Sequence, residues 1–230
     1  MKVALCISGQ PRYLEEGHAQ IDKNILQKYS PDVFVHTWWD NSMSNKKMEL
    51  PATLSYGRTY HWREDTIDLI KKFYNPVVFL YEPQIIFNPF NDVNYELARP
   101  SNVHSMFFSI QRSNQLKMQY ERENNFSYDI VIRCRFDVDI IKFDIDLYNL
   151  SMDYVNCYAM RDSPNSDLAI SSSKNMDIYS SIYDNFEKYR QDGWKQFVGE
   201  GLVKYHLSQY NISWDNPEIR NKLINSIIIK

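Results

Sequence analysis

Two carboxylates, Asp137 and Asp139, directly follow the most strand-like segment of the chain, residues 128–136. Side chains two residues apart point to the same side of an extended chain, so both carboxylates can face one ligand. Mg²⁺ and Mn²⁺ prefer oxygen ligands of this kind and usually keep substrate phosphates in their coordination shell. Asp137 and Asp139 are therefore predicted to hold a Mn²⁺ or Mg²⁺ ion and, through it, a phosphorylated ligand.

The Asp-x-Asp spacing alone is weak evidence, because it is common in solvated loops and recurs here at Asp144 and Asp146. At that second pair we expect a turn or a helix start. The first pair differs in its position, after a buried strand that itself follows a long helix. The adjacent Arg133 and Arg135 are suited to offsetting carboxylate repulsion or to binding phosphate oxygens.

A second group of candidates lies where the first two predicted strands end. The first strand runs into Ser8, Gly9 and Arg12, and the second ends at Thr37 and Trp38. Gly9 allows the backbone to approach a nucleotide closely, and Arg12 is suited either to phosphate or to the solvent. Trp38 is equally suited to stacking on a base and to anchoring the loop that follows it. These five residues are the predicted nucleotide contacts.

The positions of these residues depend on the order of the predicted strands and helices. Continuous apolar runs at residues 2–8 and 32–38 predict buried parallel strands, with a helix over residues 13–29 between them. The further elements are a long loop at 39–61, a helix at 64–74, a strand at 76–81, an irregular connection at 82–101, a long helix at 101–124, the strand at 128–136, strand-like pieces near 153–160 and 166–171, and helices at 174–190 and 199–210. This alternation predicts an α/β protein with a three-layer α/β/α, Rossmann-like fold and a mostly parallel central sheet. In such a sheet, ligands bind at the carboxyl ends of the strands.

Composition limits the class of protein. With 230 residues, of which 43% are hydrophobic, the chain has the size and apolar content of one domain with a real core. Its formal net charge of -3 argues against a general nucleic-acid-binding protein, which needs a basic face. The three cysteines, Cys6, Cys134 and Cys157, are predicted to be buried thiols rather than a disulfide framework. No apolar run approaches the ~20 residues of a transmembrane segment. We expect a cytoplasmic protein, with an infected host cell or the membrane periphery as alternatives.

The first strand with its turn (residues 2–12), the second strand (32–38) and the segment 128–139 together resemble a known family. This ordered set resembles the nucleotide-sugar glycosyltransferases of the GT-A fold, especially small enzymes of polysaccharide biosynthesis and of large DNA viruses. The resemblance implies a nucleoside diphosphate sugar donor, UDP- or GDP-linked, and an acceptor hydroxyl on a glycan, glycolipid or glycoprotein. It implies that Asp139 binds the metal directly, while Asp137 contacts the ribose or a metal-bound water. It also divides the single domain into a donor part, 1–140, and an acceptor part, 141–230.

The resemblance also bears on three residues of the acceptor part. Asp167 is implied as a ligand of donor-sugar hydroxyls, with an ordinary turn residue as the alternative. Glu200, between two glycines, is implied as the general base of an inverting enzyme, or it simply complements the helix dipole. His206 is implied as a third metal ligand, although a histidine packed in the core is the more common arrangement. Separately, Arg112 on the long helix is suited to face either the nucleotide or the solvent.

Two other functions are consistent with the same elements. A sugar-nucleotide nucleotidyltransferase would need a glycine-rich, basic phosphate loop after the first strand, and this chain offers only Gly9 and Arg12 there. A non-catalytic nucleotide-sugar-binding module would not need the acidic pair. A metal-dependent glycosyltransferase is therefore the first hypothesis.

Overall fold

The protein is described by a computed structural model that covers residues 1–44, 46–49, 59–96, 99–140, 143–160, 163–219, 222 and 227–229. In chain order the strands are β1 (Val3–Gly9), β2 (Asp32–Trp38), β3 (Lys47–Glu49), β4 (Thr59–His61), β5 (Val78–Glu82), β6 (Ile130–Cys134), β7 (Val138–Ile140), β8 (Asn156–Met160), β9 (Ser163–Ser171) and β10 (Ile227–Ile229). The α-helices are α1 (Leu14–Ile21), α2 (Gln27–Tyr29), α3 (Thr66–Tyr74), α4 (Pro100–Asn124), α5 (Ser173–Ser180), α6 (Phe186–Gln191) and α7 (Gly199–Gln209). A π-helical turn, Asp22–Leu26, joins α1 to α2. The protein is therefore an α/β protein, as the sequence predicts.

The central feature is a six-stranded mixed sheet with the strand order β5-β2-β1-β6-β9-β8. Strands β5, β2, β1 and β6 are parallel to one another, whereas β9 is antiparallel to both β6 and β8. The chain builds outward from β1 through β2 to β5 and then crosses back to place β6 on the other side of β1. This reversal is a topological switch point, where a crevice opens at the carboxyl ends of the strands. We therefore expect a ligand to bind at the carboxyl ends of β1 and β6.

Alternate residues of the strands belong to two different hydrophobic clusters. Leu5 and Ile7 of β1 pack in the cluster that contains residues of α1 and α3. Ala4 and Cys6 pack in the cluster that contains residues of α4, α5, α6 and α7. Both sides of the central strands are buried, which explains why these strands appear in the sequence as continuous apolar runs. All three cysteines are buried and free, as predicted.

The strongest predicted strand ends earlier than expected. β6 stops at Cys134, a turn follows at Phe136 and Asp137, and β7 begins at Val138. Because Asp137 lies in this turn, the extended chain that we assumed from Asp137 to Asp139 begins only at Val138. The backbone of the turn lies against Gly17 of α1, where a Cβ would stand 1.8 Å from the carbonyl oxygen of Phe136. Helix α1 therefore packs closely against this turn, and β7 after the turn pairs antiparallel with β10.

The helix predicted over residues 174–190 is broken. It divides into α5, a 3₁₀ turn at Tyr183–Asn185, and α6. The Ser181 hydroxyl donates to the carbonyl of Ile178, and the Asn185 side chain donates to the carbonyl of Ser181. Such side chains compete with the backbone for helical hydrogen bonds, which explains the break.

The predicted long loop at 39–61 contains more regular structure than expected, because β3 and β4 pair antiparallel within it. Asp146 accepts hydrogen bonds from the Tyr148 N–H and the Asn149 side chain, which is the turn predicted there. The long helix α4 begins at Pro100, one residue before its predicted start. Proline suits this first position because its fixed φ fits a helix and its missing N–H has no helical partner there. None of the described helices is both long and apolar enough to cross a membrane.

Candidate functional site

The end of β1 lies at the switch point and is held by its neighbours on both sides. Thr37 of β2 donates from Oγ1 to the carbonyl oxygen of Gly9 at 2.8 Å. On the other side, Arg133 of β6 donates from Nη2 to Oγ of Ser8 at 3.0 Å. Gly9 has φ +112°, a conformation that side-chain-bearing residues rarely adopt. The structure thus brings together Ser8, Gly9 and Thr37, three of the predicted nucleotide contacts.

The loop that follows presents Arg12 in a constrained conformation. Tyr13, directly before α1, has φ 49°. A bulky residue in this left-handed region is uncommon, and such outliers concentrate at functional sites. The Tyr60 hydroxyl donates to the carbonyl oxygen of Pro11 at 2.7 Å, so a residue of β4 holds this loop in place. Sequence patterns do not reveal this strain, because nothing about the residue type indicates it.

Asp137 is buried and contacts two arginines of the site, Arg135 and Arg12. Arg135 donates from Nε to Oδ1 at 2.8 Å and from Nη2 to Oδ2 at 2.7 Å, which is a bidentate pair. Arg12 adds a third contact, with Nη2 3.0 Å from Oδ2. Burial by itself would raise the pKa of Asp137, but the charges of Arg135 and Arg12 outweigh burial and hold the pKa below its usual value. Asp137 is therefore an ionised carboxylate that organises two guanidinium groups.

Asp167 on β9 completes this charged group. Arg135 donates from Nη1 to Oδ1 of Asp167 at 2.7 Å, so one guanidinium joins a carboxylate in the turn after β6 to one on β9. Burial lowers the pKa of Arg135, and the charges of Asp137 and Asp167 raise it by more, so the net shift is upward. The three predicted residues Arg135, Asp137 and Asp167 are thus brought into direct contact.

Arg133 is a further arginine of the site and is almost completely buried, with 1% of its surface exposed. Its Nη2 is used by Ser8, whereas its Nε and Nη1 find no hydrogen-bond partner among the described residues. The buried Nε of Arg12 is also without a hydrogen-bond partner in that part of the chain. Buried donors are nearly always hydrogen-bonded, so these three nitrogens require an explanation.

Tyr179 on α5 carries a further buried polar group. Burial raises the pKa of this phenol, and the nearby charges of Arg133, Asp167 and Glu200 also act on it. Its hydroxyl is buried and has no hydrogen-bond partner among the described residues. Glu200 lies half-buried in the first turn of α7, directly after Gly199, where a Cβ would lie 3.4 Å from Oγ of Ser166, the residue before Asp167. We predicted a helix through Tyr179 but no role for its hydroxyl, because the helical pattern explains the ring by packing alone.

The two glycines that flank Glu200 are explained by packing within the protein. A Cβ on Gly199 would lie 3.3 Å from Cε of Met106 and 3.4 Å from Oγ of Ser166. A Cβ on Gly201 would lie 3.1 Å from Cγ2 of Val198. The close neighbours are thus side chains of the protein itself, where the sequence suggested a substrate.

The predicted metal ligands Asp137, Asp139 and His206 lie in three different surroundings, and the metal site remains a prediction. Both oxygens of Asp137 are bound by guanidinium groups, and Asp139 lies partly exposed on β7, beyond the turn. His206 is buried: its Nε2 donates to the carbonyl oxygen of Ile178 at 2.6 Å, and its Nδ1 accepts from Tyr189. Within the described ranges, no group of three or more His, Cys, Asp or Glu residues is placed to hold a metal ion. Asp137 and His206 therefore do not fit a metal site as they are placed.

Trp38 and Arg112 lie away from this charged group. The Trp38 indole is 1% exposed and stacks on Phe108 at 5.4 Å, which favours packing over base stacking. Arg112 lies beside Glu82 at the end of β5, with Nε 3.5 Å from Oε1. β5 is the edge strand, two positions from β1, so Arg112 is placed at a different part of the sheet edge.

The aromatic residues of the 39–61 region anchor that region. Trp39 and Trp62 are buried together with Met43, and Tyr60 packs against them. Tyr56, a further aromatic residue of this region, lies outside the described residues.

Comparison of the chain with protein-family models gives no match, and comparison with curated proteins gives none either. The function is therefore inferred from the residues and contacts described above.

Proposed function

We propose that this protein is a glycosyltransferase of the GT-A type, with a three-layer α/β/α fold. It would transfer a sugar from a UDP- or GDP-linked donor to a hydroxyl of a glycan, glycolipid or glycoprotein. The observation that supports this proposal is the group of Arg12, Arg133 and Arg135 at the topological switch point. Nucleotides bind at this position in doubly wound sheets, and guanidinium groups match the geometry of phosphate oxygens. The glycine end of β1, with its positive φ, lets the backbone approach such a ligand closely.

The proposed reaction exchanges one bond at the anomeric carbon for another. The bond from this carbon to the phosphate oxygen breaks, and the electron pair stays on the nucleoside diphosphate. The acceptor oxygen forms the new bond and loses its proton to a general base. Asp167 is already bonded to Arg135, so the base assigned here is Glu200, whose carboxylate is partly exposed near Asp167. Asp167 and Arg135 would then bind the donor sugar and phosphate.

A divalent cation remains a prediction from the sequence. Of the predicted ligands, Asp139 is the partly exposed carboxylate that a Mn²⁺ or Mg²⁺ ion would use. The contacts of Asp137 and His206 count against those two residues, so no step of the proposed reaction depends on the metal.

The test is a transfer assay with a panel of UDP- and GDP-sugars and glycan acceptors, read by release of nucleoside diphosphate. We expect turnover with at least one donor, and a loss of at least ~100-fold in Glu200→Gln, because a lost general base costs at least that much. The control is Glu123→Gln, which changes an exposed glutamate in the last turn of α4. Formation of a sugar nucleotide from a sugar phosphate would instead support a nucleotidyltransferase. Nucleotide binding without any turnover would support a binding module.

A further inference from the structure

Three guanidinium nitrogens at the switch point are buried without a hydrogen-bond partner among the described residues: Nε of Arg12, and Nε and Nη1 of Arg133. Leaving a buried donor unpaired is unfavourable, and for a charged group it is more so. Arg133 is 1% exposed, so bulk solvent does not satisfy its nitrogens. An anionic ligand would remove this cost by accepting those hydrogen bonds.

Both arginines adjoin the end of β1. Arg133 contacts Ser8, the penultimate residue of β1, and Arg12 lies in the loop that leaves this strand. The intervening Gly9 has a positive φ, which opens the backbone at the same place. Guanidinium groups offer several N–H donors in one plane and bind phosphates at two points, so a diphosphate suits two arginines that adjoin the same strand end.

Asp137 has the contacts of a positioning residue. It binds Arg135 through both of its oxygens and Arg12 through one, and it is buried. A metal ion bound to Asp137 would have to displace these charge-assisted hydrogen bonds. The carboxylate thus holds Arg12 beside the β1 end.

We propose that Arg12 and Arg133 bind the diphosphate of the donor and neutralise the departing nucleoside diphosphate in place of a divalent metal, with Asp137 as the residue that positions Arg12. The inference rests on the proposed function. When the bond to the anomeric carbon breaks, the electron pair moves to the phosphate oxygen. The guanidinium groups stabilise the new charge by donating hydrogen bonds and lose no proton. Electrostatic stabilisation of a leaving group in a buried site is among the largest contributions to catalysis.

The experiment is calorimetry with inorganic pyrophosphate, UDP and GDP, each in EDTA and in Mn²⁺. We expect binding in EDTA, weakened at least ~10-fold in Arg12→Gln and in Arg133→Met, the range of a lost charged hydrogen bond. The matched control is Arg190→Gln, because Arg190 pairs with Glu187 and Asp92 at the surface. It should change affinity less than about twofold, as exposed ion pairs contribute little.

Thermal unfolding separates binding from folding. A buried arginine kept for packing would lower the Tm when replaced, whereas one kept for a ligand is exchanged for Met with little loss or a gain. We therefore expect Arg133→Met to retain or raise the Tm of the ligand-free protein while losing pyrophosphate. Asp137→Asn should weaken pyrophosphate binding in EDTA, where a metal ligand would have no effect.

Two outcomes distinguish this inference from the proposed function. If donor turnover occurs only with Mn²⁺ and the wild-type protein does not bind pyrophosphate in EDTA, the inference is wrong and the transferase remains. If pyrophosphate binds in EDTA through Arg12 and Arg133 but no sugar nucleotide is turned over, the anion site stands and the transferase is wrong.

Discussion

Replacing Gly17 by alanine tests how the fold positions Asp137. Gly17 lies in α1, where its backbone packs against the turn that carries Phe136 and Asp137. The new methyl carbon would lie 1.8 Å from the carbonyl oxygen of Phe136 and 2.9 Å from its carbonyl carbon. Both neighbours are backbone atoms, which cannot rotate away as a side chain does. The helix and the turn must therefore separate.

The size of the effect follows from these distances. An ordinary contact requires a separation larger by about 1.5 Å, and overpacking of a buried site costs about 1–3 kcal/mol. The rigid neighbours place Gly17→Ala at the upper end of that range. Alanine recovers up to about 1 kcal/mol of helix propensity. The expected net loss in the free energy of unfolding is about 2 kcal/mol, which lowers the Tm of a domain of this size by about 4–8 °C.

The assay is urea and thermal unfolding of Gly17→Ala beside Gly201→Ala. In the control, the new methyl meets a valine methyl at 3.1 Å, and that side chain can move, so stability should change by less than about 0.5 kcal/mol. We also expect pyrophosphate affinity to fall in Gly17→Ala alone, because Asp137 moves with the turn. A Tm for Gly17→Ala equal to or above that of the wild type would refute the reasoning about this contact.

Three further predictions concern single residues. Burial lowers the pKa of His206 from its usual value near 6.5 to about 4, so between these pH values the unfolded chain binds a proton that the folded protein excludes. The contribution of neutral His206 to the free energy of unfolding should be complete above pH 6.5 and be lost as pH falls toward 4. His206→Gln should reduce the slope of the free energy of unfolding against pH in this range by up to ~1.4 kcal/mol per pH unit, as measured by urea titrations. Gly9→Ala should lower the free energy of unfolding by about 1–3 kcal/mol because of its positive φ, and it should also weaken pyrophosphate binding. Gly193→Ala, also at positive φ, should lower stability only. Equal losses of pyrophosphate affinity in the two variants would contradict a ligand role for Gly9. Arg135→Met should destabilise the protein by about 3–5 kcal/mol, since Asp137 loses a buried partner; a change under about 1 kcal/mol in urea unfolding would contradict this.

The strands and helices of the donor part follow closely from local patterns. The apolar runs at residues 2–8 and 32–38 correspond to β1 and β2, and the long helix and the strand after it correspond to α4 and β6. These patterns are informative because a parallel strand buried on both faces must be apolar throughout. They are less informative at residues 174–190, where Ser181 and Asn185 bond the backbone and break a helix that the apolar spacing predicts.

Part of the candidate site was also accessible from the sequence. The end of each parallel strand lies at one edge of the sheet, so Ser8, Thr37 and Asp137 were expected to be neighbours. The contacts of Arg12 with Asp137 and of Arg135 with Asp167 were not accessible, because they join residues 125 and 32 positions apart through side-chain directions that no spacing records. The same is true of Trp38, whose burial depends on Phe108 from a distant helix.

The sequence by itself determined that this is an α/β protein, that its parallel strands are buried on both faces, and that charged residues follow the first and the strongest strands. Apolar periodicity and chain order suffice for these features, since they depend on local geometry and on which surfaces must leave water. Only the tertiary structure decided what the charges do. The turn at Phe136, pressed against Gly17, places Asp137 between two guanidinium groups, and burial of Arg133 leaves donors without partners. Such pairings arise from distances across the fold, so a pair of aspartates that resembles a metal motif in sequence becomes, for Asp137, an arginine-binding carboxylate.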